Sequence, residues 1–136
     1  MKKILLCMVL AFMVVLSGCG AQEKRLTKDE YMTQLKTYND KMIATAQSVY
    51  YSTNAKDIEN ATAEMKQDIK DMIALQGPKN LQAKEDDIDK ALNDYLPLFD
   101  DALAMRVDKT MSYDDYMKEA TAVDQEFADA VDDYNK

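Results

Sequence analysis

The sequence predicts an all-α protein, an antiparallel up-down-up-down four-helix bundle. Three observations carry that reading. Apolar residues recur at steps of three and four in four separate runs. Those runs are bounded by helix caps and by one glycine–proline stop. No stretch alternates apolar and polar residues between turns, and of 3 glycines only Gly77 lies among the helical runs.

The expected helices span about 28–52, 55–76, 80–107 and 113–134. Thr27-Lys28-Asp29-Glu30 opens the first as a capping box, with Thr27 at the N-cap and Glu30 at N3. Leu26 and Tyr31 flank it as a hydrophobic staple. The stripe continues through Leu35, Tyr38, Met42, Ala46 and Val49. Ser52-Thr53-Asn54 interrupts it, and Asn54 is suited to cap the next helix. Were that joint helical, the first two helices would fuse into a three-helix bundle, which is the alternative architecture.

The second stripe takes Ile58, Ala61, Met65, Ile69, Met72 and Ile73, and closes at Gly77-Pro78. The third takes Leu81, Ile88, Ala91, Leu92, Tyr95, Leu98, Phe99, Ala102 and Met105. Pro97 lies inside it, lacks a backbone N–H and crowds the Asn93 carbonyl, so a kink is expected there. Ser112-Tyr113-Asp114-Asp115 caps the fourth helix, with Met111 and Tyr116 as its staple. Its stripe runs through Met117, Ala120, Val123, Phe127, Ala130, Val131 and Tyr134. The openings of the first and fourth helices look alike; this is one capping solution reached twice, since the sequences beyond them differ.

Ahead of the helices stands a different kind of segment. Met1-Lys2-Lys3 is positively charged, and the thirteen residues from Ile4 to Leu16 are all apolar. A membrane-spanning helix needs about 20 such residues, so the run suits a signal-peptide core better than a permanent anchor. It ends in Leu16-Ser17-Gly18-Cys19, which resembles the bacterial lipobox at all four positions. The resemblance implies a lipoprotein: a thioether-linked diacylglyceryl group on Cys19, cleavage between Gly18 and Cys19, and an N-acyl chain such as palmitate on the new terminus. Two chains on one residue give stable anchoring at about 0.8 kcal/mol per buried CH₂. The division expected is signal peptide 1–18, lipidated tether 19–26 and helical domain 27–136. The implied partners are membrane lipid through Cys19 and the lipoprotein-processing enzymes. The implied location is the outer, extracytoplasmic face of the cell membrane. Gly20 stands where an aspartate retains many diderm lipoproteins at the inner membrane, so an outer-membrane location is allowed in a diderm host. The cap-plus-tyrosine opening and the Gly77-Pro78 stop also resemble small helical lipoproteins of Gram-positive bacteria, a likeness that carries no activity with it.

Charge and composition narrow the function further. The chain carries a net −8, and the stretch from Glu85 onward holds 16 acidic and 5 basic residues. Such a surface repels nucleic acid, so no nucleic-acid partner is expected. Only Cys19 of the 2 cysteines outlasts signal cleavage, which rules out an internal disulfide. With 0 histidines, the Glu-x-x-His di-iron site, imidazole zinc sites and histidine-assisted nucleophiles are all excluded. The acidic runs Glu85-Asp86-Asp87, Asp100-Asp101 and Asp132-Asp133 contain no glycine for a calcium loop and read as exposed helix faces. No catalytic, cofactor or metal residue is therefore assigned.

Seven methionines follow Cys19: Met32, Met42, Met65, Met72, Met105, Met111 and Met117. They fall mostly on the stripes and read as core fillers rather than Cu(I) ligands. Tyr50-Tyr51 are the best candidates for exposed aromatics, with packing preferred even for them. The expected function is that of a non-catalytic protein-interaction module at the cell envelope, with an unidentified protein partner. The alternative is a small-ligand or ion-binding module with its site near Pro97; an enzyme ranks third.

Overall fold

The computed structural model describes residues 24–136, so Gly18, Cys19 and the signal segment lie outside the described residues. The fold is a four-helix bundle: α1 (Lys28–Ser48), α2 (Ala55–Ile73), α3 (Gln82–Leu103) and α4 (Tyr113–Asn135). A single 3-10 turn, Lys79–Leu81, leads into α3, and a π-helical turn, Ala104–Asp108, closes it. Among the described residues there is no β-strand. None of these helices is long and apolar enough to cross a membrane.

The helix starts follow from local chemistry. Thr27 Oγ1 accepts the Glu30 N–H at 3.2 Å while the Glu30 carboxylate accepts the Thr27 N–H at 2.8 Å. Asn54 Oδ1 accepts the Lys56 N–H at 3.0 Å, and Ser112 Oγ accepts that of Asp115 at 3.1 Å. Each bond satisfies one of the donors that a helix start leaves without a partner.

The joint between α1 and α2 is a real break, which settles four helices over three. α1 ends at Ser48, ahead of the position expected from periodicity. The reason comes from far along the chain. Arg106, in the π-helical turn, donates to the carbonyls of Val49 at 2.7 Å, Tyr50 at 3.1 Å and Ser52 at 3.2 Å. A guanidinium thus takes up carbonyls at the negative end of the helix and holds the chain in a turn. Lys109 closes the π-helical turn in the left-handed conformation, φ 58°, as a residue just past a helix often does. Pro97 is exposed, and α3 continues through it to Leu103, where the π-helical turn takes over.

α2 also ends early, at Ile73, and Gly77 is not its cap. Gly77 is buried in the loop beyond, where a Cβ would lie 2.5 Å from Glu85 Oε1 and 2.8 Å from the Tyr134 hydroxyl. It is glycine because two side chains fill the space over it. The incoming chain is fixed to the same loop. The Leu26 N–H donates to the Gln76 carbonyl at 2.8 Å, and Arg25 donates to the Gly77 carbonyl at 3.2 Å and to Gln82 at 2.6 Å. Arg25 and Leu26, read from sequence as tether, therefore belong to the domain.

The core is off-centre. Tyr31, Leu35, Ile69, Met72, Ile88, Leu92, Phe99 and Tyr134 form one buried cluster. α2 and α3 contribute to burial along their lengths, but α1 supplies only Tyr31 and Leu35, and α4 supplies only Tyr134. Those three sit where α1 begins and α4 ends. All four helices meet at that pole alone.

Candidate functional site

Away from the closed pole the bundle is open on one side. Consecutive helices pack against each other, whereas α1 and α4, which would complete the ring, hardly approach. They meet through the Tyr31 and Tyr134 rings, 5.0 Å apart, and through Lys28 Nζ donating to the Asn135 carbonyl at 2.9 Å. Farther along, the facing positions are small or half-exposed: Ala46 on α1, Ala120 on α4. Side chains of that size cannot bridge two helices, so the seam stays unfilled.

Three hollows follow one another along this seam. The first, about 420 Å³, lies between Met32, Leu35, Phe127 and Val131. The second, about 190 Å³, reaches inward to Ile69, Met72 and Leu92 and shares Asn39 and Phe127 with the first. The third, about 500 Å³, shares Met42, Met65 and Tyr95 with the second and opens at the far pole among Tyr50, Tyr113 and Met117. Together they make one apolar groove. From Met32 to Ser48, the last residue of α1, the wall runs about 24 Å at 1.5 Å per residue. The third hollow lies within the 300–1,000 Å³ typical of small-molecule sites.

Six of the seven methionines after Cys19 line this groove or its mouth; Met111 does not. Core filling holds for Met72, which is 1% exposed; Met117 is 39% exposed. Tyr95 stands at the middle of the wall, its ring edge-on to Phe127 at 5.9 Å and its hydroxyl donating to Asp124 at 2.6 Å. Burial, and then the bond to Asp124, push the Tyr95 phenol well above its ordinary range. Tyr50 and Tyr51 are 67% and 91% exposed, so the expectation that they pack is corrected. The turn after Ser48 carries them off the end of α1, where they meet only edge to face.

A second cluster lies at the closed pole. Tyr31, Glu85 and Tyr134 are at most 2% exposed, and the half-buried Asp89 lies beside them. The Tyr31 and Tyr134 hydroxyls, Glu85 Oε1, Asp89 Oδ1 and Arg25 Nε are buried without a hydrogen-bond partner among the described residues. This corrects the reading of Glu85-Asp86-Asp87 as an exposed face: Glu85 points inward over Gly77. Asp68 is a further buried acid, 2% exposed and held at 2.7 Å by Lys41. Among the described residues no three acidic, cysteine or histidine side chains come together as a metal site.

Burial, and then the charges of Asp86 and Glu85, raise the Asp89 carboxyl to about 6. Folding therefore holds a proton that the unfolded chain, near 3.8, releases. The cost is absent below about pH 4, grows as pH rises, and is complete above about pH 6. Asp89→Asn is expected to raise the melting temperature at pH 7.5, with the gain shrinking as pH falls toward 4. Thermal melts of both proteins across that range check it; a gain independent of pH would rule out Asp89 ionisation as its source.

Periodicity and caps assign no role to Arg106, although an isolated arginine in the acidic half of the chain is a signal. Periodicity misses the groove too, since it identifies an apolar face without showing whether anything covers it. Against known proteins the chain matches no family model, no curated sequence and no solved structure.

Proposed function

We propose that this is a membrane-anchored extracytoplasmic lipoprotein whose helical domain is a non-catalytic binding module, docking a partner protein in the groove between α1 and α4. The observation that carries the binding role is the groove itself: an apolar trough open to solvent along one side of the bundle. Contiguous apolar surface of this kind marks interaction sites more often than idle surface. The anchoring role rests on Leu16-Ser17-Gly18-Cys19. Its two acyl chains would hold the domain at the outer face of the membrane.

Cys19→Ser tests the anchor. The wild type is expected in the membrane fraction, with an intact mass equal to the chain from Cys19 plus a diacylglyceryl group, with or without an N-acyl chain. The variant is expected to keep its signal segment and to gain no lipid mass. A wild-type Cys19 thiol found unmodified would end the lipoprotein reading.

One observation favours a second reading, the binding of a small apolar ligand. The 500 Å³ hollow is lined by Leu98 and Phe99, beside Pro97, where a packed interior would have left no room.

A further inference from the structure

We infer that the groove between α1 and α4 takes a basic amphipathic helix as its occupant, an inference that rests on the groove being the binding site. Four features converge on that chemistry: shape, lining, charge and the exclusion of rivals. Both sides of the trough are helices, and its length of about 24 Å matches roughly 16 residues of a third helix lying between them. It occupies the position where a closed bundle would have had α1 and α4 in contact.

Methionine is the most frequent residue type in the lining. Met32, Met42, Met65, Met105 and Met117 present flexible thioethers that can reshape around an apolar helix face. Unlike a floor of leucine, such a surface does not need a fixed arrangement of anchors. It is suited to recognising a pattern of residues rather than one sequence.

Charge fixes the sign of the partner. α4 carries 8 acidic residues and 1 basic residue between Tyr113 and Asn135. Asp124 lines the groove, and Asp114 and Asp132 are exposed on the turns that border it. On the α1 side Asp29 is exposed about one turn ahead of Met32, where the groove begins. The nearby cations are already engaged: Lys36 pairs with Asp40 at 2.5 Å, and Arg106 donates to three carbonyls. An apolar floor beside the acidic α4 rim complements a helix with one apolar face and lysine or arginine on the flank toward α4.

The same charges disfavour the rivals. A second copy would bring another acidic α4 against this one. A fatty acid or phospholipid would bring its anionic head to an acidic rim.

The test uses the protein as processed by a bacterial host, held in nanodiscs of neutral phosphatidylcholine. Three fluorescent 18-residue peptides are compared by anisotropy: a lysine–leucine amphipathic helix, a glutamate–leucine helix with the same apolar face, and a scrambled lysine–leucine peptide without a continuous face. The basic helix is expected to bind at least tenfold more tightly than either control, and to weaken at least tenfold with Ala46→Trp or Ala120→Trp, which fill the groove. Ala122→Trp, on the outer face of α4, is expected to leave binding unchanged, and circular dichroism melts confirm that all three variants fold. Equal binding of the acidic and basic helices would overturn the inference while leaving the groove as a binding site. So would binding of a fluorescent fatty acid, blocked by Ala46→Trp, without binding of any peptide. A dimer seen by sedimentation and dispersed by Ala120→Trp would overturn it in favour of a second copy. Failure of every probe would overturn both the inference and the groove as a site.

Discussion

Alanine at Ile69 is expected to cost about 3 kcal/mol of folding stability, and alanine at Met117 less than about 1 kcal/mol. Ile69 is 1% exposed and belongs to the cluster of Tyr31, Met72, Leu92 and Tyr134. Removing its outer carbons strips contacts from the buried cluster and enlarges the innermost hollow, and buried Ile→Ala changes cost about 2–5 kcal/mol. Met117 is 39% exposed at the groove mouth, where water already reaches and no closed void can form. Total stability for a domain of this size is about 5–15 kcal/mol. The Ile69 change therefore removes a large part of it, lowering the melting temperature by on the order of 12–20 °C. Urea unfolding of both variants reads the contrast directly. Equal losses would mean that the seam between α1 and α4 closes in solution, and the groove would cease to be a candidate site. Unequal losses mean that the fold is held by one pole and two central helices, leaving the groove lining free to serve binding.

That division also explains what could be read in advance. Helix starts were legible because a cap is a bond between near neighbours: Thr27 with Glu30, Asn54 with Lys56, Ser112 with Asp115. The central helices were legible because Ile58, Ile69, Met72, Ile88, Leu92 and Phe99 lie on periodic stripes and are buried on both. The outer helices have stripes of the same kind, yet Met42, Val49, Phe127 and Val131 remain half-exposed. Periodicity cannot tell a core face from a binding face, because both need apolar residues at helical spacing. Contacts between distant residues were hidden for a different reason. Nothing near Arg106 in the chain announces that it holds the end of α1, and nothing near Glu85 announces that it is buried over Gly77. The proposed anchor rests on the motif from Leu16 to Cys19 alone.

Alanine at Gly77 is expected to cost about 2–3 kcal/mol, through collision rather than backbone strain. The two causes predict opposite signs, which makes the measurement decisive. The φ of Gly77 lies outside the left-handed region, so an alanine backbone is compatible with its conformation. On backbone grounds alone, alanine would stabilise the protein by about 0.4–1 kcal/mol, by restricting the unfolded chain. The added methyl, however, would sit 2.5 Å from Glu85 Oε1 and 2.8 Å from the Tyr134 hydroxyl. Neither side chain has an easy escape, since Glu85 is 2% exposed and Tyr134 0%. Relief should therefore come from trimming the neighbour. In a Glu85→Ala background, where the Tyr134 hydroxyl can shift into the space Glu85 vacates, the cost of Gly77→Ala is expected to fall by at least about 1 kcal/mol, a coupling within the range of about 0.5–3 kcal/mol for residues in contact. An equal cost in both backgrounds would place the fault in the loop backbone. The same loop fixes the incoming chain, through the Gln76 carbonyl to Leu26 and the Gly77 carbonyl to Arg25. Gly77→Ala should accordingly speed tryptic cleavage after Arg25, whereas Ile69→Ala, compared at equal stability, should not. A methyl group over this loop would thus loosen the joint between the domain and whatever precedes it, and only a collision at Gly77 predicts both effects together.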